Sequence, residues 1–289
     1  MRQFEVNILG CGSALPATRH SLSSQIVNLN GELYMIDCGE GSQLQFRAMN
    51  LKFQRLNHIF ISHLHGDHCF GLLGLVSMFV LLGRTVDLCI YSHPDTKCLF
   101  QPLIKYFFKE LPFQVVFHPF DPTCSGLIFE DQVLRVFTIP LKHRVPTVGF
   151  LFEEKPIYLF DNNMQRGNFV TSGSQTVSSS CLSKLASFSC RYAYCSDTVY
   201  YEEIIPLITG VDLLYHEATY SNKDLARAKE TYHSSAQQAS LIARAANVKK
   251  LMLGHFSARY PDETFLLKEA QKIFPNTILA SERMILPII

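Results

Sequence analysis

The chain carries almost no net charge: 26 Lys and Arg stand against 25 Asp and Glu. It has no global basic field to draw in nucleic acid, so a polyanionic partner has to be held by a local patch. Its 9 cysteines include no Cys-x-x-Cys pair. The set is odd and scattered, and Cys38, Cys89 and Cys195 sit inside apolar runs as small hydrophobes do. A reducing cytoplasm fits that usage. The longest apolar run without a charge, Cys69–Gly83, is too short and too glycine-rich to span a bilayer. Met1–Leu9 alternates like a strand and lacks the apolar core of a signal peptide. No internal repeat and no linker divides the sequence. A soluble, unexported, cytoplasmic protein with no membrane partner is expected, with residues 1–289 as a single domain. A hydrophobic content of 47% is ample for its core.

What is present centres on Ser62-His63-Leu64-His65-Gly66-Asp67-His68, three imidazoles and a carboxylate within six residues. Imidazole suits zinc, manganese and iron, and Asp67 adds a hard anionic oxygen. The preceding Leu56–Ile61 reads as a buried strand and the following Cys69–Gly83 as a helix. The histidines therefore belong on a tight strand-to-helix turn, where Gly66 lets the backbone bend. The rest of the chain reads as mixed strands and helices in two halves. Each half begins strand-rich and ends in strand and helix alternation, a layered α/β sandwich. One stretch breaks the rhythm: Thr171–Ser180 is a polar, low-complexity run expected to be a mobile loop or projection.

A two-metal site needs more donors than one turn supplies, and single candidates recur at the ends of later strands. His143 follows the strand Val133–Ile139, Asp197 follows Tyr192–Cys195, and His255 follows Leu251–Gly254. Each alone is more often a structural His or a turn Asp. Together with His63, His65, Asp67 and His68 they make seven ligands, a number that suits two metals sharing a carboxylate with a water between them. Such a pair lowers the pKa of the water and clamps the oxygens of an in-line displacement at phosphorus.

These residues resemble the metallo-β-lactamase superfamily and, more closely, the ribonuclease Z family, endonucleases that trim the 3′ end of precursor tRNA. The resemblance covers nearly the whole chain. It runs through Leu9-Gly10-Cys11-Gly12-Ser13, Asp37-Cys38-Gly39-Glu40-Gly41, the His63–Leu72 motif, Leu141–Pro146, Ser196-Asp197-Thr198, Tyr215-His216-Glu217-Ala218-Thr219 and His255–Tyr260. It implies a four-layer αββα fold and two zinc ions per subunit, with manganese or iron as alternatives. His63, His65, His143 and Asp197 would hold one ion and Asp67, His68, Asp197 and His255 the other, Asp197 bridging. Asp67 would also accept the proton of the attacking water. Glu217 and His233 would donate a proton to the leaving 3′ oxygen. His233 also just precedes Ser235-Ala236-Gln237-Gln238, a capping-box pattern that by itself marks a helix start. Asp37 is a candidate to orient a ligand histidine. The resemblance further implies a precursor tRNA substrate cut after the discriminator nucleotide, and a homodimer.

The chain departs from the family between His143 and Asp197, where a long tRNA-gripping arm is usual. Residues 153–191 read as a shortened arm, in which only Lys155, Arg166 and Lys184 are basic between Glu153 and Arg191. Fewer phosphate contacts would weaken binding and flatten its salt dependence. Lys142, Arg144, Arg259 and Arg19 are the cations near the ligands that remain to hold phosphate. Two rival readings follow: a general phosphodiesterase or small-ester metallohydrolase on the same fold, and an RNA-binding protein with an inactive metal site.

Overall fold

A computed structural model describes residues 3–158, 169–172, 175–178, 185–186 and 189–288. The strands are β1 (Phe4–Gly10), β2 (Ser24–Leu29), β3 (Glu32–Ile36), β4 (Leu56–Phe60), β5 (Leu88–Ser92), β6 (Val115–Pro119), β7 (Leu127–Glu130), β8 (Leu134–Leu141), β9 (Thr147–Glu154), β10 (Ile157–Tyr158), β11 (Phe169–Ser172), β12 (Gln175–Ser178), β13 (Leu185–Ala186), β14 (Arg191–Cys195), β15 (Leu213–Glu217), β16 (Lys250–Gly254), β17 (Thr277–Leu279) and β18 (Ile285–Pro287). The helices are α1 (Ser42–Ala48), α2 (Gly66–Cys69), α3 (Leu72–Leu81), α4 (Asp95–Phe107), α5 (Ile205–Ile208), α6 (Leu225–Thr231), α7 (Ala236–Ala245) and α8 (Thr264–Gln271).

Two seven-stranded sheets carry the fold, in the orders β18-β1-β2-β3-β4-β5-β6 and β17-β16-β15-β14-β9-β8-β7. In the first sheet the pairs from β18 to β3 are antiparallel and those from β3 to β6 parallel. The second repeats the plan: β7, β8, β9 and β14 pair antiparallel, β14 to β17 parallel. The switch follows from connection length, since short turns make hairpins and helical crossovers make parallel neighbours. The two halves read from the sequence are these two sheets, except that β18, after β17 in sequence, joins the first beside β1.

Val6, Ile8, Val27, Tyr34 and Phe60 of the first sheet share one core with Val136, Phe150, Phe152, Tyr192 and Tyr194 of the second. Phe60 meets Phe150 and Phe152 edge to face at 5.7 and 5.4 Å, the geometry that ring quadrupoles favour. Helices cover the outer faces. α3 and α4 lay Leu75, Val76, Phe79, Phe100 and Ile104 against Ile26, Met35, Ile59 and Ile90, and α7 and α8 bring Ala239, Ile242, Ala243, Leu266 and Ala270 to Leu214 and Leu251 of the second sheet. The architecture is the αββα sandwich. Covered on both sides, β2 and β15 are buried at every residue and show no polar alternation.

Several local readings change. The helix expected over Cys69–Gly83 is α3, which begins only at Leu72; α2 lies before it, and Phe70 and Gly71 separate the two. Gly71 donates its N–H to the Cys38 carbonyl at 2.8 Å, and a Cβ on it would lie 2.1 Å from the Gly39 carbonyl oxygen. Close packing on the Cys38–Gly39 turn therefore outweighs apolar periodicity there. After β14 a 3-10 turn (Glu202–Ile204) leads into the single turn α5. In the segment expected to be a mobile loop or projection, Thr171–Ser180, Thr171 and Ser172 end β11, which pairs antiparallel with β12 (Gln175–Ser178); its remaining residues, and about half of the 153–191 arm, lie outside the described residues.

Candidate metal centre

The candidate residues gather at one rim of the sandwich, at the C-terminal ends of strands from both sheets. β3 leads to Asp37, β4 to Ser62 and His63, β8 to His143, β14 to Asp197, β15 ends in Glu217, and β16 leads to His255. Strand ends are where an open α/β sheet leaves a crevice. Three of these residues pay for their position with left-handed backbone: Asp37 (φ 54°), Asp197 (φ 48°) and His255 (φ 57°). Non-glycine residues adopt that region rarely, and such strain concentrates at functional sites. Gly66 serves differently from the expectation. Its φ is ordinary, but a Cβ there would lie 2.4 Å from the Phe70 ring.

Two donor sets form. In the first, His63 Nε2 lies 2.9 Å from His65 Nδ1, His143 Nε2 lies 3.3 Å from the same Nδ1, and Asp197 Oδ2 is 3.6 Å from both His63 Nε2 and His143 Nε2. In the second, Asp67 Oδ2 is 3.4 Å from His68 Nε2 and 3.5 Å from His255 Nε2, while Asp197 Oδ1 is 3.2 and 3.1 Å from the same two nitrogens. Tetrahedral donors about 2.0–2.2 Å from one zinc stand roughly 3.3–3.5 Å apart, so both sets are spaced to share an ion. Asp197 gives one oxygen to each. The Nε2 atoms of His68 and His255 are buried without a hydrogen-bond partner, which in a native interior calls for an unseen ion or water. The donor set fits a pair of divalent cations.

The opposite ring nitrogens of His63, His68, His143 and His255 are engaged, that of His63 with the Ser62 hydroxyl at 3.1 Å, which fixes their tautomers. Asp37 Oδ2 accepts from His68 Nδ1 at 2.7 Å, from the Ser62 hydroxyl at 2.9 Å and from Tyr194 OH at 2.7 Å, while Asp37 Oδ1 takes the Ser62 N–H at 2.7 Å. His255 Nδ1 lies 2.9 Å from Thr219 Oγ1, and His143 Nδ1 donates to the Tyr232 carbonyl at 2.8 Å. Burial lowers the His63 imidazole, aided by the neighbouring His68. Burial would also lower His68, but Asp197, Asp67 and Asp37 outweigh it and raise that ring well above its ordinary value. Burial would raise Asp67 and Asp197; the surrounding histidines, His68 and His255 foremost, hold both carboxyls low.

Beside the two sets, Glu217 is fully buried and its Oε1 lies 2.9 Å from His233 Nδ1. Glu217 also accepts from the N–H groups of Thr198 (2.6 Å) and Ser234 (3.1 Å) and from the Thr219 hydroxyl (2.6 Å). Burial lowers His233, but the Glu217 charge offsets that and pushes it up to about 9. The capping box at Ser235 and Gln238 is present as well. The two readings of His233 are thus compatible: the cap begins α7, and the preceding turn delivers the imidazole. A cleft of about 450 Å³ over the site is lined by His65, Asp67, His143, Arg144, Asp197, His233 and His255, with Ala14, Pro16, Leu22, Glu40, Gly66 and Phe70.

Among the four cations expected to hold phosphate, Arg144 lines this cleft and Lys142 an adjoining one that shares His233. Arg19 is committed elsewhere, to Glu263 at 2.5 Å and the Tyr260 carbonyl at 2.8 Å, and Arg259 lies over the Tyr220 ring at 4.9 Å. Sequence reasoning missed Thr219, the Tyr232 carbonyl and Ala14, whose N–H donates to Asp67 Oδ2 at 2.7 Å. A main-chain donor or acceptor leaves no trace in residue identity. Thr219 did have a signal, standing two residues after Glu217.

The family model described as anti-Pycsar protein Apyc1 matches residues 4–273. A ribonuclease Z of Bacteroides thetaiotaomicron is 52% identical over 304 residues, covering 100% of this chain and 96% of its own length. Among solved structures, the short form of human tRNase Z (ELAC1) superposes with a TM-score of 0.76 at 28% identity, over 99% of both chains. The metallo-β-lactamase fold protein YhfI of Bacillus subtilis gives 0.72 at 19% identity over 98% of both, a likeness of fold. The chain falls in the family the Apyc1 model describes and, on its full-length, half-identical relatives, belongs to the ribonuclease Z family of metal-dependent hydrolases with the metallo-β-lactamase fold.

Proposed function

We propose that this chain is a zinc-dependent endoribonuclease that cleaves precursor tRNA after the discriminator nucleotide and removes the 3′ trailer. The observation that carries the reading is the division of labour at Asp197, one carboxylate oxygen in each donor set, with the Glu217–His233 pair alongside. His63, His65, His143 and Asp197 would hold one ion and Asp67, His68, Asp197 and His255 the other. Two divalent ions bound there would neutralise phosphoryl oxygens and acidify a water. Zinc suits the imidazole-rich set, and manganese or iron are accepted by the same ligands.

The chain's own groups supply proton handling. Asp67, held by the Ala14 N–H, accepts the proton of the attacking water as its oxygen bonds to phosphorus. His233, charged through Glu217, gives its proton to the departing 3′ oxygen as the phosphorus–oxygen bond breaks. The products are a 3′ hydroxyl on the tRNA and a 5′ phosphate on the trailer. Relatives named ribonuclease Z and the human tRNase Z structure support tRNA as substrate, and Arg144 and Lys142 are the cations placed to meet phosphate.

A homodimer belongs to this reading. It is supported by α4, which exposes Leu99, Leu103, Tyr106 and Phe107, an apolar face of the kind a second copy covers. A cytoplasmic setting is supported by the free thiols of Cys11, Cys38, Cys69, Cys89, Cys98, Cys124 and Cys195; among the described residues no helix is long and apolar enough to cross a membrane.

The test is cleavage of a precursor tRNA with a short 3′ trailer by the zinc-loaded chain, beside an Asp67→Ala control and a small chromogenic phosphodiester. Cutting at the discriminator by the parent alone supports the proposal. Cleavage of the small ester only would replace it with a general phosphodiesterase, and metal content without either turnover with an RNA-binding protein.

A further inference from the structure

Outside the seven donors of the cleft, a second cluster joins the two ends of the chain. Cys11 Sγ lies 3.4 Å from His20 Nδ1 and 3.5 Å from Glu282 Oε1, and His20 Nδ1 stands 3.1 Å from both Glu282 oxygens. The Ala280 carbonyl oxygen is 3.7 Å from the sulfur. We propose that Cys11, His20 and Glu282 form a separate structural zinc site, with the Ala280 carbonyl or a water in the fourth position.

Thiolate, imidazole and carboxylate are the three ligand types zinc takes in proteins, and a tetrahedron with a zinc–sulfur bond of about 2.3 Å and zinc–nitrogen or zinc–oxygen bonds of about 2.0–2.1 Å has edges of roughly 3.3–3.6 Å. The two edges to the sulfur, 3.4 and 3.5 Å, fall in that range, and the 3.1 Å from His20 Nδ1 to Glu282 and 3.7 Å from the sulfur to the Ala280 oxygen lie about 0.1–0.2 Å outside it. The outer arrangement matches as well. His20 Nε2 faces Glu263 Oε1 at 3.2 Å, and Glu263 is itself held by Arg19. A ligand histidine that donates its other N–H to a carboxylate is the usual way a metal-binding ring is oriented.

Charge favours the same answer. A dication with a Cys11 thiolate and the Glu282 carboxylate is neutral, and Arg19 balances Glu263. Without a cation, burial and the Glu282 charge push the Cys11 thiol well up, leaving it an inert hydrophobe; coordination removes that proton. The ion would tie residues 11 and 20 to residue 282, closing a loop nearly as long as the chain, where a cross-link restricts the unfolded state most. It would also fix one wall of the cleft. Cys11 O accepts from Phe256 N–H next to His255, and three residues on Ala14 holds Asp67.

Zinc-edge X-ray absorption on the full chain, loaded with zinc chloride to saturation, decides the matter. The seven cleft donors are nitrogen and oxygen only, so a sulfur shell at about 2.3 Å that is absent from Cys11→Ser has Cys11 as its source, and one that persists in that variant comes from another thiol and overturns the proposal. We expect that shell in the parent and its loss in Cys11→Ser and His20→Asn, each binding one zinc fewer by elemental analysis. Cys11→Ser keeps a hydroxyl of similar size, and the parent spectrum needs no variant to fold. No sulfur shell in the saturated parent, with the same zinc count in Cys11→Ser, would overturn the proposal and leave a hydrogen-bonded triangle. A sulfur shell in a parent without turnover would support this site while removing the catalytic reading.

Discussion

His143 hangs from the Tyr232 carbonyl at 2.8 Å, and Tyr232 is held at φ 61° to present it. The following residue is His233, so one peptide turn positions both a donor of the first metal set and the candidate proton donor. Replacing Tyr232 with Val, which resists the left-handed region, should cost about 1–2 kcal/mol of stability and lower turnover. Tyr232→Gly adopts the conformation freely and should keep stability to within about 1 kcal/mol. Denaturant unfolding of both variants, read beside kcat, checks the ordering.

Glu217 and His233 predict an alkaline limit. Because Glu217 raises His233 to about 9, their bond stabilises the fold fully below the imidazole's unfolded value of roughly 6.5 and is lost as pH rises through about 9. The proton that His233 donates is lost over the same interval, so kcat should fall there. Glu217→Gln removes the charge and should move that limb toward lower pH. His233→Ala should reduce kcat by about 10²–10⁴ with zinc content unchanged. A limb that stays in place in Glu217→Gln would assign the proton to another group.

Asp197 faces both donor sets, so neutralising it should disturb both. Asp197→Asn should bind less zinc than the parent and lose activity by about 10³-fold or more, since the two-metal clamp contributes several kcal/mol. Elemental analysis alongside turnover measures both. Full zinc content in this variant would show that the carboxylate does not bridge.

Asp37 touches no candidate ion, yet it collects four hydrogen bonds, from Ser62 (twice), His68 and Tyr194. Asp37→Asn keeps the shape but places a donor where only acceptors fit. Zinc affinity should fall about 10–100-fold, with a stability cost of about 1–3 kcal/mol. Zinc titration against a competing chelator is the readout.

Stripping the metal should leave the His68 and His255 Nε2 atoms unsatisfied in the interior. The chelated chain should therefore melt at a lower temperature and recover on adding zinc. By mass action the difference is about 4 kcal/mol at a thousandfold excess over Kd. An unchanged melting temperature would argue that the native fold gains nothing from the ion.

What the sequence makes legible is set by how far each signal reaches. His63, His65, Asp67 and His68 are readable because one turn crowds them into six residues. His143, Asp197 and His255 are each ambiguous, and only their shared place after apolar strands brings them together; the structure seats all three at one rim. The sandwich follows from strand-rich segments giving way to alternation, which became the antiparallel-to-parallel switch in both sheets. The break at Gly71 was hidden because the carbonyl it packs against belongs to Gly39, far back in the chain. Arg19 looked like a free cation because its partner Glu263 is 244 residues away. Local pattern carries local geometry, and long-range pairs remain silent until the fold unites them.

The pairing of β18 with β1 has a consequence for biogenesis. Ile285–Pro287 leave the ribosome after every segment they pair with, and they complete the edge of the sheet that Phe4–Gly10 begins. Contacts this distant in sequence are slow to form. Until the last strand docks, β1 offers an open edge that favours association between nascent chains. A growing chain that has not yet reached Glu282 and Ile285–Pro287 thus lacks the cover of β1 and the third member of the Cys11–His20–Glu282 cluster.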